Sequence, residues 1–270
     1  MAKMRVRKKM RLHSTRNIPC QILKPVGLMR KKRISELFRH ALKVACLLFI
    51  PSLFPLVAFA QENKPFIAII SNIPAGIKGE MEKYTWHPEC PVPLNKLSYI
   101  KMRYWGFDNK PHMGEMIVNK SLATEITKLF KFLYEHKFPI ERMELMHQFK
   151  GDDDASMLAN NTSAFNCRAL TGLPGMYSQH SYGRAIDINP RINPYVKGKI
   201  ILPLNGTKFI DRQETYPGKI TSISLVYTIF KQHGWDWGGD WYDVQDYQHF
   251  EKRVHGEKRN PYGYKPWLWE

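Results

Sequence analysis

Between Ala45 and Ala60 the chain reads ACLLFIPSLFPLVAFA, sixteen residues without a charge. No other feature constrains the fold as much, because this run decides how much chain is left to build a core and in which compartment. It is shorter than the ~20 residues a membrane-spanning helix needs, and Pro51 and Pro55 interrupt it. Arg30, Lys31, Lys32, Arg33, Arg39 and Lys43 precede it, and it ends in Ala58-Phe59-Ala60 before the polar Gln61-Glu62-Asn63. A basic region, an apolar stretch and a small-x-small end are the parts of a secretory signal. The expectation is export to the periplasm or the outside with a mature chain beginning at Gln61; the alternative is an uncleaved membrane anchor. The basic region is long, and translation starts at Met1, Met10 or Met29 are all compatible with it. Cys46 begins the apolar stretch and does not follow it, which argues against lipidation. With Cys20 and Cys46 gone, Cys90 and Cys167 remain. In an oxidising compartment two remaining cysteines suggest one disulfide; the alternative is two buried free thiols.

The 270 residues carry a net charge of +17. Residues 1–60 hold 14 Lys and Arg against one acid, Glu36, whereas residues 61–270 hold 27 against 23. The basic excess is therefore a property of the leader, and it gives no support to a nucleic-acid-binding domain. Residues 61–270 are expected to form one domain. Leu97–Arg103 and Met113–Val118 read as a hairpin around the turn residues Phe107–Lys110. Residues 121–136 carry Leu122, Ile126, Leu129, Phe130 and Leu133 at helical spacing, with Ser121 as the expected N-cap. Met143–Phe149, Ala185–Ile188 and Gln248–Lys252 read as strands, residues 190–218 as a long loop, and Ile223–His233 as a second helix ended by Gly234. Helices and strands mix without βαβ alternation, so the expected class is α+β.

Two clusters carry the chemistry. The first runs from Ser178 to Pro190, SQHSYGRAIDINP. Gly183 and Pro190 oppose a continuous helix, and the alternation of Ala185, Asp187 and Asn189 with Ile186 and Ile188 fits a strand. Gly183 lets the chain turn, so that His180 folds back beside Asp187. A His and a carboxylate placed so supply two ligands of a metal site and need a third; by spacing alone, a lone His–Asp pair is more often a satisfied hydrogen bond. The second cluster, Gly234–Glu251, concentrates Trp, Gly and acidic residues. In a strand His249 and Glu251 face one side and Phe250 the other, while Asp246 enters the same cleft.

Together, Ser-x-His-x-x-Gly-x-Ala-x-Asp at 178–187 and Asp-x-x-His at 246–249 resemble the zinc D,D-peptidases of bacterial cell walls, peptidase family M15. These include D-alanyl-D-alanine dipeptidases and carboxypeptidases and L-alanyl-D-glutamate endopeptidases. The resemblance spans about residues 160–251, and the segments around Trp86–Cys90 and Phe165–Arg168 also look like those of exported members. It implies a small antiparallel sheet flanked by helices, as in the hedgehog signalling domain, and one zinc ion held by His180, Asp187 and His249. It puts Asp246 in the general-base position and Arg168, twelve residues before His180, where a carbonyl is polarised. Ser178 and Tyr182 become candidates for substrate binding or supporting hydrogen bonds. The implied substrate is the peptidoglycan stem peptide. Asp in place of Glu at 246 is more typical of the endopeptidase branch, which favours the L-Ala-D-Glu bond; the alternatives are D-Ala-D-Ala carboxypeptidase and a zinc-binding, non-enzymatic recognition domain of the hedgehog type. Membrane contact is expected only through the leader, if uncleaved. His255, His87 and His112 are weaker candidates, expected to be structural or exposed. The Asp152–Asp154 run lacks the spacing of a calcium loop and is expected to be solvated or capping. Ser178 lacks the context of a hydrolase nucleophile elbow.

Overall fold

The computed structural model describes residues 64–170 and 173–263. The leader with its cleavage pattern, Cys20, Cys46 and the expected start at Gln61 lie outside the described residues. The described chain opens with strand β1 (Ala68–Ser71) and helix α1 (Ala75–Tyr84). Strands β2 (Leu97–Trp105) and β3 (Pro111–Asn119) form the expected hairpin, in register from Leu97 opposite Asn119 to Trp105 opposite Pro111. β1 adds to the free edge of β2, giving the order β1-β2-β3. Helix α2 (Ala123–Glu135) turns Ile126, Leu129, Phe130 and Leu133 inward. Its N-cap is Leu122 and not Ser121, whose hydroxyl instead donates to Asn119 Oδ1 at 2.8 Å.

Met143–Phe149 is not a strand. Asn161 occupies the edge that a partner strand would use, accepting from Glu144 N at 2.8 Å and donating to Glu144 O at 3.0 Å. Met146–Phe149 then closes as a 3-10 turn. Helix α3 (Asp153–Leu158) follows, capped by Asp152, which accepts from Ala155 N. The polar run Asn160–Thr162 is fully buried, its side chains bonded to backbone groups of neighbouring segments and to the Glu141 and Ser156 side chains.

Strands β4 (Ala169–Leu170) and β5 (Leu173–Tyr177) form a short ribbon before β6 (Ala185–Asp187). The expected long loop holds a second hairpin, β7 (Tyr195–Lys197) with β8 (Ile200–Leu202), turned by Gly198 at φ +57°. Helix α4 (Leu225–Gln232) is capped by Ser224. Three short strands follow: β9 (Asp236–Trp237), β10 (Gln245–Asp246) and β11 (His249–Glu251). They build two further sheets, β6-β11-β9 and β10-β7-β8. The fold is α+β, with its antiparallel pairing spread over several small sheets.

The main core lies between the β1-β2-β3 sheet, α2, α4 and the β6-β11-β9 sheet. Ile186 and Phe250 are cross-strand partners and both fully buried, and the Phe250 ring lies 4.4 Å from that of Phe230. A second cluster under α1 joins Met81, Leu97, Tyr99, Ile117 and Phe165. Burying apolar area of this kind is worth roughly 25 cal/mol per Å². The strands that fill the core also carry the polar cluster on their other face.

Candidate metal centre and cavity

Asp187 on β6 and His249 on β11 stand directly opposite each other in the antiparallel register. Alternation sends Ile186 and Phe250 into the core and these two to the other face. His180 comes from a 3-10 turn, Gln179–Tyr182, capped by Ser178, whose hydroxyl accepts from His180 N at 3.3 Å. Gly183 ends the turn at φ +63°, and a Cβ there would lie 2.6 Å from Asn119 N. Left-handed backbone and close approach to β3 both call for glycine.

The three side chains are buried and converge. His180 Nε2 lies 3.2 Å from Asp187 Oδ2 and 3.2 Å from His249 Nδ1, and His249 Nδ1 lies 3.0 Å from Asp187 Oδ1. Zinc bound tetrahedrally at ~2.0–2.1 Å holds neighbouring donors about 3.3 Å apart, so the spacing fits such an ion. The outer hydrogen bonds fit it too. His180 Nδ1 donates to Ala164 O at 2.5 Å, which leaves Nε2 as the inward lone pair. His249 Nε2 donates to Glu251 Oε2 at 3.1 Å, and Glu251 Oε1 accepts from Arg253 Nε at 2.6 Å. Burial opposes charge on His249, but Asp187 and Glu251 on either side outweigh it and hold its pKa well above the ordinary value. His180, Asp187 and His249 would hold such an ion, and its charge would take the place of a proton that these groups otherwise share. Burial likewise opposes charge on Asp187, and His180 and His249 overcome it, so its pKa is lowered.

The cluster forms one wall of a cavity of about 190 Å³. Asp246 lines the same cavity, and its Oδ1 is buried without a hydrogen-bond partner. Burial raises its pKa to about 6, with Asp187 adding to the rise and His249 opposing it. Gly238 packs against it: a Cβ there would lie 2.5 Å from Asp246 O. Arg168 also lines the cavity and pairs with Asp153 at 2.7 Å. Trp241 covers the site from one side, its ring 5.4 Å from that of His249.

The structure thus brings together His180, Asp187, His249, Asp246, Arg168 and Ser178. Tyr182 is not among the cavity-lining residues; it packs against the second core cluster, and its carbonyl accepts from Asn119 Nδ2. His255 is exposed, and His87 and His112 pair with Glu89 and Asp108 at the surface. Cys90 and Cys167 form a disulfide. Sequence reading missed Asp153 as the partner of Arg168, and Tyr195, Lys197 and Arg259 as lining residues. For the first no local signal exists. For Tyr195 and Lys197 the alternation of Tyr195–Leu202 around Gly198 was a readable hairpin.

Buried His and Asp donors beside a carboxylate with one oxygen free of hydrogen bonds, at the wall of an open cavity, are the parts of a metallohydrolase. Residues 171–252 match the model of a peptidase family M15 group described as D-alanyl-D-alanine carboxypeptidase, and this match supports the M15 zinc D,D-peptidase family. The matched stretch contains His180, Asp187, Asp246 and His249; Arg168 and the disulfide precede it. No curated protein and no solved structure matches the chain significantly. The family supports a hydrolase of peptide bonds, of the type that acts on peptidoglycan.

Proposed function

We propose that the protein is a zinc-dependent peptidase of the peptidoglycan stem peptide, with the L-Ala–D-Glu bond preferred over the terminal D-Ala–D-Ala bond. One observation carries this reading: three donors converge at zinc spacing beside a buried carboxylate oxygen with no partner. His180, Asp187 and His249 are the ligands. Zinc, when bound, acts as a Lewis acid and lowers the pKa of a water towards ~7. The Asp246 carboxylate takes the proton of the attacking water and passes it to the nitrogen of the leaving amine. A proton-accepting pKa raised to about 6 leaves it ionised at neutral pH yet ready to return the proton. Arg168, steadied by Asp153, donates to the carbonyl oxygen as negative charge grows there. Ser178 holds the turn that aims His180.

Asp at 246 supports the endopeptidase reading; the description of the matching family model supports the carboxypeptidase. A recognition module without activity has no use for Asp246. Zinc-loaded protein incubated with purified muropeptides decides by product mass: loss of one terminal alanine marks the carboxypeptidase, and separation of L-Ala from D-Glu the endopeptidase. Unchanged masses overturn the enzyme reading. His180→Ala and His249→Ala are each expected to bind no zinc by metal analysis; stoichiometric zinc in both removes the ligand assignment. The leader supports action outside the cytoplasm, and N-terminal sequencing of the envelope protein, expected to begin at Gln61, checks it.

A further inference from the structure

The cavity is lined by three cationic side chains other than histidine, Arg168, Lys197 and Arg259. Two are committed. Arg168 pairs with Asp153 at 2.7 Å. Arg259 grips Asp243 with both terminal nitrogens, at 2.8 and 2.7 Å, and lies over the Trp241 ring at 4.2 Å. Lys197 is exposed and makes no ion pair among the described residues. Of the acids that line the cavity, Asp153 and Asp243 are held by these arginines and Asp187 and Glu251 by His249, while Asp246 keeps one oxygen without a partner.

The position of Lys197 is set by the strand ladder. Tyr195 is the cross-strand partner of Asp246. Lys197 is two residues further along β7, on the same face, hence ~6.6 Å along the strand. Gly198, in left-handed backbone, turns the chain immediately afterwards, so the lysine stands at the end of the strand where the hairpin meets the cavity. An anion entering beside Asp246 therefore meets one uncommitted cation.

Both bonds considered above present such an anion on the same side. The terminal D-Ala of one carries a free α-carboxylate. The D-Glu of the other continues the stem through its side-chain carboxyl and leaves its α-carboxylate free. We propose that Lys197 is a specificity-determining residue that recognises the free α-carboxylate on the leaving side of the scissile bond. This rests on the function proposed above.

The test pairs each peptide with its carboxamide: L-Ala-D-Glu stem peptides against the D-isoglutamine form, and D-Ala-D-Ala peptides against their terminal amides. Turnover is followed by product mass and binding by calorimetry. For the wild type the carboxylate peptide is expected to be preferred. Lys197→Met is expected to raise KM for the carboxylate peptide on the order of 10-fold, the worth of a charged hydrogen bond, with kcat and the carboxamide kinetics unchanged. Lys197→Arg is expected to restore the preference. Equal losses on both peptides, or no loss on either, overturn the proposal, provided zinc content and thermal midpoint match the wild type. If zinc-loaded wild type turns over no peptide, the proposed function fails; carboxylate-selective binding that depends on Lys197 then still supports the recognition role, and its absence overturns that too.

Discussion

Asp246 and His249 meet the same burial and answer it in opposite ways. His249 finds a carboxylate on each side, and the two together hold its pKa well above the ordinary value against the effect of burial. Asp246 has an oxygen with no donor, so burial pushes its pKa up to about 6. A carboxyl whose folded pKa exceeds its unfolded value binds more protons when folded, so it adds stability below the unfolded value and loses it as pH rises through the folded one. In zinc-free protein, the stability of the wild type relative to Asp246→Asn is therefore expected to fall between about pH 4 and pH 6, measured by urea denaturation across that range. The same variant keeps the size and loses the proton acceptor. It is expected to retain zinc and to lose about 10²–10⁴-fold in turnover of muropeptides; wild-type turnover would take Asp246 out of the mechanism and direct attention to Asp243 or Glu251.

Among the elements, the turn that joins His180 to β6 is the most exacting. Gly183 and Gly198 both sit at positive φ, +63° and +57°, but a Cβ at Gly198 would meet nothing within 4 Å, whereas one at Gly183 would strike the backbone of Asn119. Gly198→Ala is expected to cost about 1 kcal/mol for backbone strain alone, and Gly183→Ala about 2–3 kcal/mol once overpacking is added. Denaturation midpoints of the pair check this, and zinc affinity is expected to weaken only in the second. The turn at Gly183 was legible in the sequence because its left-handed backbone is a local demand, though its approach to Asn119 was not; the alternating faces of β6 and β11 and the apolar stripe of α2 were legible too. What escaped needed distant partners. β1 and α1 have no strong pattern of their own, Met143–Phe149 alternates yet has its edge taken by Asn161, and β7 becomes a strand by pairing with both β8 and β10. The site followed the same division: residues inside fixed spacings could be named, while the partnership of Asp153 with Arg168 depends on how α3 is set against β4.

At the scale of the whole molecule, the Cys90–Cys167 bridge ties the segment after α1 to the residue just before Arg168, across a separation of 77 residues. By chain entropy a loop of that length is worth about 4–5 kcal/mol. Replacing both cysteines by serine is expected to lower stability by that order, read from denaturant unfolding without reductant, and reduction of the wild type is expected to reproduce the loss. β6 and β9 are joined only through β11, which is the last of the three to be synthesised. Translation runs from the N-terminus, so the β1-β2-β3 sheet, the first helices and both cysteines exist before His249 and Phe250 do. A ribosome that stops short of them releases a chain with its middle strand missing and its cavity wall open. Premature termination before residue 249 is therefore expected to yield an inert fragment, however much of the first sheet and its helices has already folded.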